Sequence, residues 1–209
     1  MTRIKEYNRL GVIGRFKPLH SGGALLLESV CNSAEHAIIG IGSYGKYNLR
    51  NPWTAEESAG MINAYLSPRC SNYELRFIED YGHIPEFSDG QRWRQEILAR
   101  YGALDGFVSG DDYVAQLLKN DYRMILPNEI ILTERWAWVR GTLVRAEMAK
   151  NNDWKQYVPK EVADYLEQNE LVSRFRREFG LETLALLAKD DAYKYREDLY
   201  IQRAHTMEV

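Results

Sequence analysis

The segment Gly14-Arg15-Phe16-Lys17-Pro18-Leu19-His20-Ser21-Gly22-Gly23 follows an apolar run and combines glycines with two cations and an imidazole. Glycines let backbone N–H groups come close to an anion, and a helix opening near Ser21 would add the partial positive charge of its N-terminus. Arg15, Lys17 and His20 supply further donors, so a triphosphate would fit this turn. A tight strand-to-helix turn with a solvated Arg and Lys has the same spacing, and both readings stay open on these residues alone. Three more polar segments have similar chemistry. Ser43 to Trp53 is a polar loop with Arg50 just before a helix. Ser109-Gly110-Asp111-Asp112 could meet base or ribose hydroxyls. Arg140-Gly141-Thr142-Leu143-Val144-Arg145 puts a hydroxyl and backbone amides at a helix start, with Arg145 three residues beyond Thr142 on the same face.

These segments sit between elements with a regular rhythm. Leu10 to Phe16 reads as a buried strand, Ser21 to Ala34 as a helix, and His36 to Ser43 as a second buried strand. Thr54 opens a helix with Glu57 three residues on, the spacing of a capping box. Tyr73 to Asp80 is strand material, Tyr81 to Phe87 a loop, Asp89 to Tyr101 a helix, and Gly106 to Gly110 a short strand whose following helix Asp111 would cap. Tyr122 to Thr133 supplies the last strand, interrupted at Pro127. Helices follow from Gly141 or Thr142 to about Lys150 and from Lys160 to Asn169, and Leu171 to Val209 reads as a helical tail. Alternating strands and helices imply a doubly wound, Rossmann-like parallel α/β sheet with a C-terminal helical extension, divided here as 1–170 and 171–209. Ligands of such sheets bind beyond the carboxyl ends of the strands, where the strand order reverses.

The 209 residues carry 27 Lys+Arg against 30 Asp+Glu, a net charge of −3, so a general nucleic-acid coat, which needs a basic excess, is not expected. An aromatic content of 12% argues against a disordered chain. Cys31 and Cys70 have no metal-ligand spacing and read as reduced thiols. No apolar run is long enough for a membrane span or a signal peptide, so a cytoplasmic protein is expected. His83 and His205 read as surface histidines.

The run from Gly14 to Gly23 is close to the GRFxPxHxGH signature of the nucleotidylyltransferase superfamily. Gly42-Ser43, Arg50-Asn51-Pro52-Trp53-Thr54, Trp93, Ser109-Gly110 and Gly141 to Arg145 narrow the resemblance to the archaeal-type nicotinamide mononucleotide (NMN) adenylyltransferases, over about residues 8–168. The chain is particularly similar to the adenylyltransferase half of bifunctional proteins with a Nudix domain, although it has no Nudix box. The resemblance implies ATP and NMN as substrates, NAD and pyrophosphate as products, Mg²⁺ arriving with ATP, no protein metal site, and a homo-oligomer. It implies that Arg15, His20, Arg50 and Arg145 contact phosphate, with His20 nearest the reacting bridge. Gly14, Phe16, Lys17, Gly22, Gly23, Gly141 and Thr142 would belong to the ATP site. Ser43, Asp80, Trp93, Ser109, Gly110 and Asp111 would line the NMN site, Trp93 stacking on nicotinamide. From its residue type and place on a helix face alone, Trp93 reads more often as a core residue than as a cofactor platform.

Three positions depart from the pattern. Gly23 stands where the family has the second His of HxGH, Ser58 where it has Arg, and Arg140 where it has Ser. Three readings follow: a working enzyme in which Lys17, Arg140 or metal compensates, a relative with another phosphorylated acceptor, or an impaired relative that binds ATP- or NAD-type nucleotides.

Overall fold

The computed structural model describes residues 5–131, 137 and 139–189. Its sheet has five parallel strands, β1 (Tyr7–Gly14), β2 (Ala34–Tyr44), β3 (Tyr73–Glu79), β4 (Gly106–Val108) and β5 (Met124–Ile125), in the spatial order β3-β2-β1-β4-β5. The order reverses between β1 and β4, so the doubly wound class read from the sequence is the one observed. Helices α1 (Ser21–Ser33), α2 (Ala55–Leu66), α3 (Gln91–Tyr101), α4 (Asp112–Leu118), α5 (Pro127–Ile130), α6 (Gly141–Lys150) and α7 (Lys160–Gln168) follow in chain order. A C-terminal helical extension comprises α8 (Leu171–Phe175), a π-helical turn (Arg176–Gly180) and α9 (Leu181–Lys189). The rest of the expected tail, with His205, lies outside the described residues.

The chain forms two compact units that alternate along the sequence. One takes its residues from Met1–Arg15, Leu26–Lys46 and Leu66–Arg135, the other from Phe16–Leu25, Tyr47–Tyr65 and Trp136–Val209.

The first unit holds the sheet. Leu10, Val12, Ile38, Ile39, Ile41, Phe107 and Val108 are buried, as continuous aliphatic runs in a parallel sheet covered on both faces must be. Tyr101 at the end of α3 lies in this core and donates its hydroxyl to the Val12 carbonyl at 2.9 Å. A Cβ on Gly40 would lie 2.0 Å from that hydroxyl oxygen, so β2 needs glycine there. β1 starts three residues earlier than the apolar run, because the Asp105 carboxylate accepts from the amides of Asn8 and Arg9 at 2.6 and 2.9 Å. It stops at Gly14, since Phe16 takes a left-handed φ of 52°. The last strand is a correction: the expected span from Tyr122 shrinks to two residues, and Pro127, which lacks a ladder donor, opens α5 instead. Residues 132–133 of that span lie outside the described residues.

The second unit is helical. Its capping box is formed as the spacing suggested, with the Thr54 amide donating to Glu57 Oε2 at 2.9 Å and the Glu57 amide to Thr54 Oγ1 at 3.2 Å. Among the described residues, no helix is long and apolar enough to cross a membrane, and both cysteines are free thiols.

Candidate functional site

In the helical unit, the glycine-rich turn is organised around His20. This residue is the N-cap of α1: its carbonyl accepts from the Ala24 amide at 2.8 Å, and its Nδ1 accepts from the Gly23 amide at 3.1 Å. A ring that accepts at Nδ1 while neutral carries its proton on Nε2 and can donate from there. Burial, reinforced by the nearby Arg145 guanidinium, lowers the His20 pKa from 6.5 to about 4. His20 is therefore a neutral hydrogen-bond donor across the physiological range. In ¹H–¹⁵N spectra its ring should titrate near pH 4 as the Nε2–H tautomer, and a midpoint near 6.5 would contradict this geometry. The sign for stability follows. Between pH 6.5 and about 4 the unfolded chain is protonated at this ring and the folded chain is not, so acidification through that window weakens folding.

The approach of α6 to this turn depends on glycine. A Cβ at Gly22 would lie 2.6 Å from the Ala137 carbonyl oxygen, and one at Gly141 would lie 3.1 Å from the Lys17 carbonyl oxygen. Arg145, one turn into α6, donates from Nη1 to the Lys17 carbonyl at 2.6 Å. The side chain of Arg140, the N-cap of α6, makes no capping bond, and no acidic residue sits in the first turn. A helix start flanked by Arg140 and Arg145, with no acidic residue in its first turn, suits an anion. Lys17 is buried close enough to Glu57 to help hold that carboxyl down. Burial opposes ionisation of Glu57, but bonds from Arg174 and the Thr54 amide outweigh it, and its pKa is below the ordinary value.

The structure thus brings Lys17, His20, Gly22, Gly23, Gly141 and Arg145 together, with Phe16 bending the chain into the turn. Thr142 and Arg50 are exposed, and the Arg50 amide donates to Asn48 Oδ1 at 3.1 Å. Gly23 differs from Gly22. A Cβ there would meet its neighbours at ordinary contact distances of 3.4 to 3.7 Å, so a side chain is sterically admissible. Ser58, the second departure, is fully buried and donates its hydroxyl to the Thr54 carbonyl at 3.0 Å.

The sheet unit holds the other predicted residues. Gly14 ends β1 opposite Ile41, and Arg15 is exposed beyond it. Buried Ser43, with a left-handed φ of 56°, donates its hydroxyl to Asp80 Oδ2 at 3.2 Å, and Asp80 Oδ1 accepts from the Gly82 amide at 3.0 Å. Beyond β4, Ser109 Oγ accepts from the Asp111 amide at 3.1 Å, and Asp111 Oδ1 caps α4 through the amides of Tyr113 and Val114. Gly110 is exposed between them. Trp93 is half-buried and packs on the cluster of Ile38, Ile97 and Tyr101, so one part of its ring system serves the core. Ser43 with Asp80 and Ser109 with Asp111 are therefore pairs. Sequence reasoning missed Arg174 and Glu178, which contact the Arg50 loop from the C-terminal extension; a cation and a carboxylate four apart carry no signal of a partner elsewhere in the chain.

A five-stranded parallel sheet in this order, with a glycine-rich turn after its first strand, defines a Rossmann-like α/β protein. The chain belongs to the cytidylyltransferase-like family, whose family model matches residues 12–146. Among curated proteins it is 28% identical over 170 residues to the nicotinamide-nucleotide adenylyltransferase of Picrophilus torridus, covering 80% of this chain and 95% of that one. It is also 28% identical over 180 residues to the protein of that name from Thermococcus sibiricus, covering 85% and 88%. Among solved structures, a bifunctional NMN adenylyltransferase/ADP ribose pyrophosphatase from Francisella tularensis, complexed with AMP and a manganese ion, superposes with a TM-score of 0.64 at 18% identity. That match covers 94% of this chain and 56% of the bifunctional one, and it shows the fold.

Proposed function

We propose that this protein transfers the adenylyl group of ATP to NMN, forming NAD and releasing pyrophosphate. The observation that carries the reading is the neutral His20 imidazole, whose Nδ1 accepts from the Gly23 amide and so leaves its proton on Nε2, beside an α6 start that has arginines and no acidic residue in its own first turn. The phosphate of NMN is already largely dianionic near pH 7, since its second pKa is about 6. No strong base is needed for its oxygen to attack the α-phosphorus of ATP as the bond to the bridging oxygen of pyrophosphate breaks. The remaining work is to hold the groups in line and to neutralise the charge that develops, which suits arginines, an imidazole donor and helix amides.

In this reading His20 donates from Nε2 to the reacting polyphosphate, and Arg15, Arg50 and Arg145 contact phosphate oxygens. The amides and hydroxyl at Gly141 and Thr142 complete the ATP site. Ser43, Asp80, Trp93 and the turn at Ser109 to Asp111 serve the acceptor nucleotide. Mg²⁺ would enter on the triphosphate, where it would offset phosphate charge.

The test is NAD formation from ATP, Mg²⁺ and NMN by the purified protein. Gly23→His sharpens it, because the Cβ fits and the variant should fold. A rate gain of about 10²-fold or more, the usual worth of one preorganised donor, would show a site weakened by the missing imidazole. An unchanged rate would show that other groups have replaced it. Nucleotide binding without NAD formation, in either form, would overturn the enzymatic reading and favour a nucleotide-binding relative.

A further inference from the structure

The polar side chains of the C-terminal extension converge on the loop that carries Arg50. Within the helical unit, Arg174 donates from Nη1 and Nη2 to the two oxygens of Glu57 at 2.6 Å each and from Nη2 to the Pro52 carbonyl at 3.4 Å. Glu57 is the residue that closes the cap of α2. Tyr47, at the other end of the loop, donates its hydroxyl to Glu178. Its ring meets Phe179 edge-on at 5.3 Å and lies under the Arg174 guanidinium at 5.6 Å. Trp53, fully buried, stacks on Phe175 at 5.4 Å. Both ends of the segment 47–53 are tied to residues 174–179. Between them Asn48 Oδ1 gathers the amides of Arg50 and Asn51 and the Asn51 side chain at 3.0 to 3.1 Å. The same extension also grips α6, since Arg176 Nε donates to the Met148 carbonyl at 2.8 Å near the end of that helix.

We propose that residues 174–179 form a positioning clamp for Arg50, in which Arg174 and Glu178 hold the loop in its phosphate-binding shape without touching substrate. The inference deepens the function proposed above and rests on Arg50 meeting the polyphosphate. One physical point favours positioning over bulk stability: a partly buried ion pair adds little net stability over apolar packing, whereas a two-pronged Arg–carboxylate pair fixes orientation.

The experiment is a double-mutant cycle of Arg174→Met and Arg50→Ala, read by Mg-ATP calorimetry and by the kinetics of NAD formation. Arg174→Met should weaken ATP binding about tenfold, raise KM for ATP more than it lowers kcat, and add less than about twofold once Arg50 is alanine. A loss of equal size in both backgrounds would overturn the clamp. Amide exchange gives a readout independent of turnover: residues 48–51 should exchange faster in Arg174→Met while β1 and β2 are unchanged, and an unchanged loop would also overturn it. Tyr47→Phe keeps the ring and loses only the hydroxyl bond to Glu178, so it reports the same non-additivity on a smaller scale should Arg174→Met fail to fold. If the parent protein binds Mg-ATP and makes no NAD, the acceptor reading fails, while the clamp is still decided by ATP affinity and exchange.

Discussion

His20→Asn should fold as well as the parent protein and lose about 10²–10³-fold in kcat, the usual cost of removing one preorganised donor from a developing charge. The two expectations separate because His20 has two tasks. Its Nδ1 caps α1 through the Gly23 amide, and asparagine is among the best residues for that position. Its Nε2 has no counterpart in the shorter side chain. His20→Ala should match the kinetic loss and add a folding penalty of about 1 kcal/mol for the lost cap. Stopped-flow or steady-state NAD formation together with urea midpoints distinguishes the tasks. An asparagine variant that retains full turnover would remove His20 from the chemistry. Because asparagine does not titrate, the same variant should also lose the acid weakening that His20 contributes between pH 6.5 and about 4.

Arg145→Ala should lower kcat/KM by about 10²-fold or more, since a charge-assisted hydrogen bond worth roughly 1.5–3 kcal/mol and a cation beside the polyphosphate are lost together. The bond at risk is the 2.6 Å contact from Nη1 to the Lys17 carbonyl, which holds the glycine-rich turn against α6. Arg145→Lys should recover only part of the loss, because one ammonium lacks the fork that can brace the turn and face an anion at the same time. A second readout is independent of substrate. Removing the guanidinium takes away one of the two causes that depress the His20 pKa, so the midpoint should rise from about 4 in Arg145→Ala and stay below 6.5 because burial persists. An unmoved midpoint would contradict the electrostatic coupling of these two residues.

Those two residues also show why part of the site is legible in the sequence. His20 and Arg145 sit at helix starts that follow short local rules, a cap position and a cation one turn inside, and such rules need only neighbouring residues. The strands are legible for the same reason: the buried runs of β1, β2 and β4 are continuous apolar segments bounded by glycine or a polar loop. β5 is overestimated because Ile130 and Ile131 extend the apolar pattern past a proline that ends the ladder. Nothing local could reveal the contact of Arg174 with Glu57, which lies 117 residues away in the chain. Nor could the spacing distinguish Gly22, which a carbonyl oxygen at 2.6 Å keeps bare, from Gly23, where a side chain has room. Adjacent glycines look alike in sequence, and only the tertiary approach of another segment separates a necessary one from a replaceable one.

The alternation of the two compact units has an evolutionary consequence. The chain passes from one to the other at residues 15/16, 25/26, 46/47, 65/66 and 135/136. No single recombination breakpoint could exchange one unit intact while sparing its companion. Variation confined to one unit would therefore have to accumulate by substitution inside one inherited gene, and exchange of a single contiguous segment would not supply it.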